Sequence, residues 1–467
     1  MNQELRRTVW LLAFVTVFVV CPLLAQQSAP DFAAARDETV RNLSALVQID
    51  TSNPPGNEIK AAQHLKAIFD REGIPSEIFE SAPGRANIVA RLKGNGKKRP
   101  VLLMAHLDVV GVERSKWTAD PFGGATEDGY LYGRGSVDDK GMVAADLEVF
   151  LLLHRLKVPL DRDVIFLSEA GEEGTSQFGI EYMVANHWDK IASEFALNEG
   201  GELLLKDGKV VYVAIATSEK VPRGYRLVAH GTSGHGSMPR LDDPVTHIGG
   251  AVWKIGTWEA PMRLNETTRE FFRKIAEISP PDQAYMYTHL DDPAVQQKLR
   301  HSNILYNSML RTSISPTIIK GGFRSNVIPA DAEANLDIRA LPDEDMPAFV
   351  ATMKKVIDDP LVDVEPVAEN ARPAPPPSGL HTEMFQALEA AQQKAFPGAF
   401  SLPMMPAWAT DSAQLRAKGV QAYGIMPPIS EIERARVHGN DERVSVEGLG
   451  KFVEFLYTAV TGVAASK

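Results

Sequence analysis

The chain has 467 residues and a formal net charge of −11, a length typical of about two or three domains. Hydrophobic residues make up 44% and charged residues 23%, which excludes global disorder. The acidic balance argues against a nucleic-acid partner, because such a partner needs clustered Lys and Arg. The single cysteine, Cys21, lies in the first apolar stretch. Any metal site in the rest of the chain must therefore use histidines and carboxylates.

The N-terminus has the pattern of a targeting segment. Arg6 and Arg7 precede an apolar run over residues 9–25, which is typical of a secretory signal. We expect residues 1–27 to be a signal peptide or, if uncleaved, an N-terminal anchor. The protein is then exported to the periplasm or the extracellular space, and it contacts a membrane only if the segment is retained.

Residues 28–218 alternate between helical and strand patterns, which predicts an α/β domain with a largely parallel sheet. The run at 101–105 is continuously apolar, as expected for a strand buried on both faces. The predicted helices span 39–46, 60–72 and 143–156, and the other predicted strands span 87–92 and 163–168.

The pattern changes in residues 219–371, where short alternating strands surround a mostly helical block at 260–310. This predicts an inserted α/β domain. A Pro-rich connector at 372–378 leaves it, and such a segment is stiff. The helix and strand pattern then resumes to residue 467. We therefore predict one catalytic domain in two parts, 28–218 and 372–467, split by the insertion.

Candidate metal ligands follow the predicted strands, where ligands bind in open α/β sheets. His106 and Asp108 come directly after the strand at 101–105. His106 could ligate a metal while Asp108 holds its other ring nitrogen, or it could be an ordinary loop histidine. Asp138 and Asp139 lie among glycines ahead of a long helix. They could aim a carboxylate at the metal, or Asp139 could simply cap the helix.

Three further positions add donors. Glu172 and Glu173 follow the strand at 163–168, and one could bind a metal while the other acts as general base, although paired glutamates usually lie on a solvated helix face. Glu199 precedes two glycines, and His438 lies in a loop before the last helix. Two histidines and several carboxylates suit a pair of zinc ions. A Gly-x-Ser-x-Gly nucleophile motif and a dinucleotide fingerprint are both absent from the sequence.

These motifs resemble the co-catalytic zinc peptidases and deacylases, a family that includes glutamate carboxypeptidase, aminoacylase and succinyl-diaminopimelate desuccinylase. The most similar branch is that of carboxypeptidase S and the secreted N-acyl amino acid hydrolases. The resemblance runs in order from about residue 43 to residue 455. It is carried by residues 51–58, 106–110, 133–141, 172–173, 233–235 and 326–329, and by Arg339, His438 and Glu442.

The resemblance implies a three-layer α/β catalytic domain with a mostly parallel sheet and an inserted α+β lid, the family's dimerisation domain. It also implies two Zn²⁺ per subunit, and such sites accept Co²⁺ or Mn²⁺ as well. The implied roles are His106 and Glu199 on one zinc, Glu173 and His438 on the other, Asp138 bridging both, Asp108 orienting His106 and Glu172 as general acid/base. The Asp138–Asp139 peptide is often cis in this family.

For the lid, the resemblance makes His235 the residue that stabilises the tetrahedral oxyanion, commonly in the partner subunit's site. The alternative is a turn histidine beside glycines. Asn326 and Arg339 would hold the substrate's carboxylate or backbone, unless Arg339 makes only a structural salt bridge. Thr410 would lie in a loop facing the substrate.

The expected function is hydrolysis of an amide bond next to a free carboxylate, in small peptides or N-acyl amino acids, by a homodimer formed through the lid. The alternatives are a strict N-acyl amino acid hydrolase that also runs in reverse, a single-metal aminopeptidase type, and an inactive binding protein. Two departures from the family bear on this. The helical block at 260–310 is longer than in small dimeric relatives, which puts dimerisation in question, and Gly171 replaces an acid often found before the paired glutamates.

Overall fold

The computed structural model of the protein describes residues 29–367 and 372–466. The predicted leader at 1–27, with Cys21, lies outside them. The first segment contains helices α1 Phe32–Val47, α2 Glu58–Arg71, α3 Lys140–Arg155, α4 Ile180–Asn186 and α5 Trp188–Ile191. Its strands are β1 Ser52–Asn53, β2 Ser76–Ala82, β3 Arg85–Leu92, β4 Val101–His106, β5 Val109–Val110, β6 Thr126–Glu127, β7 Tyr130–Tyr132, β8 Val164–Glu169, β9 Phe195–Asn198, β10 Glu202–Lys206 and β11 Lys209–Ala216.

The middle segment is a small sheet with helices. Its elements are β12 Val221–His230, β13 Gly234–His235, α6 Pro244–Thr257, α7 Glu266–Glu277, α8 Pro281–Thr288, α9 Pro293–Ser302, α10 Ile304–Met309, β14 Ser313–Gly321, β15 Val327–Ile328, β16 Asp331–Ala340, α11 Met346–Ile357 and β17 Val362–Pro366. The last segment contains α12 Glu383–Ala395, β18 Phe400–Met404, α13 Ser412–Ala417, β19 Gln421–Gly424, α14 Glu431–Arg434, β20 Arg443–Ser445 and α15 Val446–Ala464.

A nine-stranded sheet forms the centre of the protein. Its order is β10-β11-β19-β9-β4-β8-β3-β2, with β18 also paired to β11. Strands β19, β9, β4 and β8 run parallel to one another. Strand β9 precedes the insertion and β19 follows it, so the two outer segments of the chain contribute neighbouring strands to one sheet.

Side-chain alternation along β4 explains why this strand reads as continuously apolar. Leu103 and Ala105 enter the core that α1, α2, α3, α12 and α15 share with the sheet. Leu102 and Met104 enter the core beneath α4, α5 and α13 on the opposite face. A strand covered by helices on both faces has no polar side. The predicted α/β class with a mostly parallel sheet and three layers is confirmed.

The sheet of the predicted lid (the lid sheet, within residues 219–371) has the antiparallel order β14-β16-β12-β17. Alternate residues of β16 are buried and pack with β12 under α6 and α11. A sheet covered on one face by helices gives this alternating pattern. Strand β14 is an edge of the sheet.

The sequence pattern groups the helical block α7–α10 with the lid. In the structure this block packs on the nine-stranded sheet and not on the lid sheet. Phe271, Phe272 and Leu299 of this block share a core with Tyr212 of β11 and Leu402 of β18. The apolar faces of these helices therefore cover β11 and β18 of the nine-stranded sheet. None of the helices in the described residues is long and apolar enough to span a membrane.

Candidate metal centre and active site

The ends of three parallel strands bring the predicted donors together. His106 is the last residue of β4, and the register places it opposite Glu169, the last residue of β8. Glu172 and Glu173 follow in the loop after β8, and Glu199 directly follows β9. Parallel strands end at one edge of the sheet, so these side chains converge there.

Asp138 lies between two histidines. Its Oδ1 is 3.1 Å from Nε2 of His106, and its Oδ2 is 3.0 Å from Nε2 of His438. The same nitrogen of His438 is 2.9 Å from Oε1 of Glu173. The described chain contains two overlapping sets of three possible metal donors, and in each set the donor atoms lie within 4.8 Å of one another. One set is His106, Asp138 and Glu173, and the other is His106, Glu172 and Glu199. The structure thus brings all five sequence-predicted ligands and Glu172 into one cluster.

The donor set fits a divalent cation. All donors are imidazole nitrogens or carboxylate oxygens, which suit zinc and similar metals. Burial, with the nearby Glu172 carboxylate, raises the pKa of Glu199 well above its usual value. Hydrogen bonds to Asp138 and Glu173 raise the pKa of His438 to about 10. Several carboxylates buried close together repel one another unless a positive charge lies nearby. A metal cation would supply that charge.

Asp108 supports the cluster through two different atoms. Its backbone carbonyl accepts a hydrogen bond from Nδ1 of His106 at 2.9 Å, while its carboxylate oxygen is 3.5 Å from that nitrogen. This bond leaves the Nε2 lone pair of His106 free to bind a metal. The fully buried carboxylate of Asp108 accepts instead from the backbone N–H groups of Gly171, Glu172 and Glu173. Asp108 therefore orients both the histidine and the glutamate loop.

A second buried carboxylate, that of Glu442, holds the loop that presents Asp138. It accepts from the backbone N–H of Asp138 at 3.1 Å and of Val137 at 2.8 Å, and it pairs with Arg134 at 2.5 Å. Asp139 is the N-cap residue of α3, but its side chain makes no capping bond. The Asp138–Asp139 peptide is cis, as the resemblance implied.

Glu172 lies beside two charged groups, Arg372 and Asp411. Nη2 of Arg372 is 3.4 Å from Oε1 of Glu172, and Nη1 of Arg372 is 3.5 Å from Oδ1 of the buried Asp411. Burial, followed by the charge of Asp411, raises the pKa of Glu172 to about 8. Arg372 is the first residue of the Pro-rich connector, and only the tertiary fold shows that it reaches Glu172.

Arg339 reaches the cluster from the lid. It lines a cavity of about 300 Å³ together with Glu172, Arg372 and His438. Its guanidinium also bonds Asp337, with Nε 3.0 Å from the carboxylate. Arg339 therefore makes the salt bridge to Asp337 and also lines the cavity.

His235 and Asn326 are adjacent in the lid but do not line this cavity. Strands β13 and β15 pair His235 with Val327, the residue after Asn326, and the N–H of Gly236 donates to the carbonyl of Asn326 at 2.9 Å. Both side chains are exposed. Nδ1 of His235 accepts from the backbone N–H of Ser237 at 3.1 Å, so the ring proton resides on Nε2.

Thr410 does not face the cleft, contrary to the sequence expectation. It is buried, its hydroxyl donates to Glu219 at 2.9 Å, and its N–H donates to the same carboxylate at 3.1 Å. Its neighbours Trp408 and Ala409 line the cleft instead. The predicted loop thus reaches the cavities through Trp408 and Ala409 and not through Thr410.

Comparisons with known proteins identify relatives of this chain. The human N-fatty-acyl-amino acid synthase/hydrolase PM20D1 is 29% identical over 373 residues, covering 78% of this chain and 74% of that protein. A probable carboxypeptidase S-like 2 of Dictyostelium discoideum is 28% identical over 372 residues, covering 77% and 70%. The fold is similar to that of an M20 family metallo-carboxypeptidase from Sulfolobus solfataricus, with a TM-score of 0.67, 19% identity and coverage of 91% and 98%. Residues 102–462 match Peptidase family M20/M25/M40, and since this match spans most of the chain, the protein belongs to that family of amide-bond hydrolases.

Proposed function

We propose that the protein is a di-zinc hydrolase that cleaves an amide bond next to a free carboxylate, in peptides or in N-acyl amino acids. One observation carries the proposal. Two histidines and three carboxylates with metal-ligand chemistry surround one further glutamate at the sheet edge. The relatives named as a carboxypeptidase S-like protein and an N-fatty-acyl-amino acid synthase/hydrolase support the substrate class.

Five residues are proposed as the metal ligands: His106 and Glu199 for one zinc, Glu173 and His438 for the other, and Asp138 for both. The two oxygens of Asp138 support its bridging role, because each lies near a different histidine. When bound, such ions polarise a carbonyl and acidify a water molecule. Sites of this type also accept Co²⁺ or Mn²⁺.

Glu172 is proposed as the general acid/base. Its carboxylate lies in the cluster without being needed as one of the five ligands. It removes a proton from the attacking water and then delivers that proton to the nitrogen of the leaving amine. The backbone bond from Glu172 to Asp108 and the contact with Arg372 hold this carboxylate in place.

The substrate carboxylate is proposed to bind in the cavity that holds Arg339 and Arg372. Two guanidinium groups in one cavity of about 300 Å³ suit a carboxylate, which accepts paired N–H donors. Asn326 is proposed to contribute from the lid once the lid closes on substrate.

His235 is proposed to stabilise the oxyanion of a partner subunit, because its Nε2–H points away from the bonds made by Nδ1 and lies outside this chain's cavity. The proposed homodimer forms through the lid. Ile318 and Ile319 on the edge strand β14 and Val245 and Trp253 on α6 are all exposed. An unpaired edge strand beside exposed apolar side chains favours pairing with another chain.

Residues 219–371 are proposed as the lid between the two parts of the catalytic domain, 28–218 and 372–467. The leader at 1–27 is proposed to direct export. Sequencing the N-terminus of the secreted protein tests cleavage of the leader.

The proposed function is tested with purified protein on a panel of dipeptides and N-acyl amino acids, each with a free or an amidated carboxylate. We expect hydrolysis of the free acids, loss of activity with a chelator, and recovery with Zn²⁺. Metal analysis should give two ions per chain. Failure on every carboxylate-terminated amide by metal-loaded protein would refute the proposal.

A further inference from the structure

The cavity that holds Arg339 and Arg372 is called the carboxylate cavity. A second cavity, of about 360 Å³, borders the same metal cluster. Trp408 and Ala409 line both cavities, as do Glu172, Glu173 and His438. A substrate whose scissile bond lies at the cluster therefore has room for one arm in each cavity.

The walls of the second cavity are mostly apolar. Met426, Ile429, Val437 and the ring of Trp408 line it, and the chain between Glu199 and β10 adds two glycines. Ile429 is held against β10, where its carbonyl accepts the N–H of Leu205 at 2.8 Å. The wall is thus part of the rigid scaffold.

The charges of the two cavities differ. The carboxylate cavity holds Arg339 and Arg372, whereas the apolar cavity, apart from the cluster carboxylates and His438, holds Arg434 and Glu202. These two side chains form an ion pair, and the hydroxyl of Tyr212 also donates to Glu202 at 3.0 Å. Glu202 therefore offsets the charge of Arg434, while Nε of Arg434 has no hydrogen-bond partner among the described residues.

Each member of the ion pair lies close in sequence to one of the proposed metal ligands. Glu202 comes three residues after Glu199, and Arg434 comes four residues before His438. Both side chains line the apolar cavity without being proposed ligands, so the Arg434–Glu202 pair forms a charged part of its wall.

We propose that this cavity is the acyl pocket, that it selects an uncharged aliphatic or aromatic acyl group, and that the Arg434–Glu202 pair limits the length of that group. The inference rests on the proposed function and narrows it. An N-acyl amino acid fits both cavities. The ammonium group of a dipeptide would instead lie against apolar walls, where the carboxylates are assigned to the metals, to proton transfer or to Arg434.

The test is a chain-length series of N-acyl-leucines from acetyl to dodecanoyl, with N-succinyl-leucine and alanyl-leucine as charged comparisons. Burying one methylene corresponds to about a fourfold gain in kcat/KM. We expect kcat/KM to rise by up to that factor per methylene and then to level off. N-butanoyl-leucine should exceed both charged substrates by at least about tenfold. A flat series, or a preference for the succinyl or dipeptide substrate, overturns the inference while the proposed function stands.

Variants locate the pocket. Met426→Glu should lower the ratio of octanoyl to acetyl activity by at least about tenfold, because it places a charge in the apolar wall. Ile432→Ala is the matched control, since Ile432 lies on α14 beside Arg434 but is 63% exposed and lines neither cavity. Glu202→Gln combined with Arg434→Met should move the plateau to longer chains. An unchanged plateau and an unchanged ratio would overturn the assignment of these walls.

A binding measurement makes the test independent of turnover. Calorimetry on metal-loaded Glu172→Gln protein should show that octanoyl-leucine binds more tightly than acetyl-leucine, and that Met426→Glu in the same background removes the difference. Equal affinities would overturn the inference. If no amide in the panel is hydrolysed, the proposed function fails, and this measurement still tests the pocket.

Discussion

The buried carboxylate of Asp108 accepts a hydrogen bond from the backbone N–H of Glu172 at 3.1 Å. The same carboxylate accepts from the N–H of Glu173 at 3.1 Å and from the side-chain amide of Asn53 at 2.8 Å. One aspartate therefore fixes the position of the proposed base and of the metal ligand next to it. Groups that orient metal ligands in this way contribute to metal affinity without touching the metal.

Replacing Asp108 by Asn should lower metal affinity by about 10- to 100-fold. The amide has one acceptor oxygen in place of two and turns its NH₂ toward backbone donors, so the loop holding Glu173 shifts. Titration of metal-free protein with Zn²⁺ measures the change. Asp50→Asn is the control, because Asp50 also accepts a backbone N–H, from Ser52, but is exposed. Equal affinities for the two variants would contradict the supporting role of Asp108.

Replacing Glu172 by Gln should reduce kcat by about 100- to 10,000-fold, because the amide cannot accept and return a proton. The variant should still bind two metal ions, since Glu172 is not among the five proposed ligands. Stopped assays and metal analysis on the same preparation check both expectations. Glu113→Gln, an exposed position, serves as control. Loss of a metal ion together with activity would instead make Glu172 a ligand.

The predictable part of the site is the part that local sequence determines. His106 and Glu199 end strands whose apolar character is visible in the sequence, and parallel strand ends meet at one edge by geometry. The alternation of elements likewise predicts the α/β class, as the sheet confirms. The family resemblance supplied the partition of the ligands between two ions.

The unpredicted part depends on contacts between distant segments. Arg372 meets Glu172 across 200 residues of sequence, and Glu219 meets Thr410 across 191. No period or motif marks such pairs, because burial of a polar group is decided by packing from other elements. The helical block α7–α10 illustrates the same limit. Its amphipathic pattern shows that an apolar face is covered, but not which sheet covers it.

Replacing Arg339 by Lys should raise KM for a free-acid substrate by about tenfold with little change in kcat. A lysine cannot reproduce the paired N–H donors of a guanidinium, and binding lost equally in ground and transition states appears in KM. The carboxyl-amidated substrate is the control and should show the same KM in both proteins. An equal loss with both substrates would mean that Arg339 acts only through its bond to Asp337.

Charging the edge of the lid should convert the proposed dimer to a monomer. Ile318→Lys on β14 places a charge on an exposed apolar edge, a change that opposes strand pairing between chains. Analytical ultracentrifugation measures the mass. Ile304→Lys is the control, because Ile304 is 79% exposed but lies on α10, away from the lid sheet. If the wild type is monomeric, or if both variants remain dimeric, the lid edge is not the interface.

Stability should depend on pH through Glu148 of α3, which is 1% exposed and has one carboxylate oxygen without a hydrogen-bond partner. Burial raises its pKa to about 8, and of the charged groups nearby, Glu38 and Glu72 add to the rise while Arg155 and Arg41 oppose it. Between pH 4.5 and 8 the folded state therefore holds a proton that the unfolded state has lost, so this residue makes stability fall as pH rises.

Glu148→Gln removes this dependence. The variant and the wild type should be equally stable near pH 4, and the variant should be more stable by about 3–5 kcal/mol at pH 8.5. Denaturant unfolding at saturating metal, measured across this range, gives the difference. Glu127→Gln, at an exposed position on β6, should show no such trend. A constant difference between variant and wild type at all pH values would mean that packing, and not the buried charge, sets the effect of residue 148.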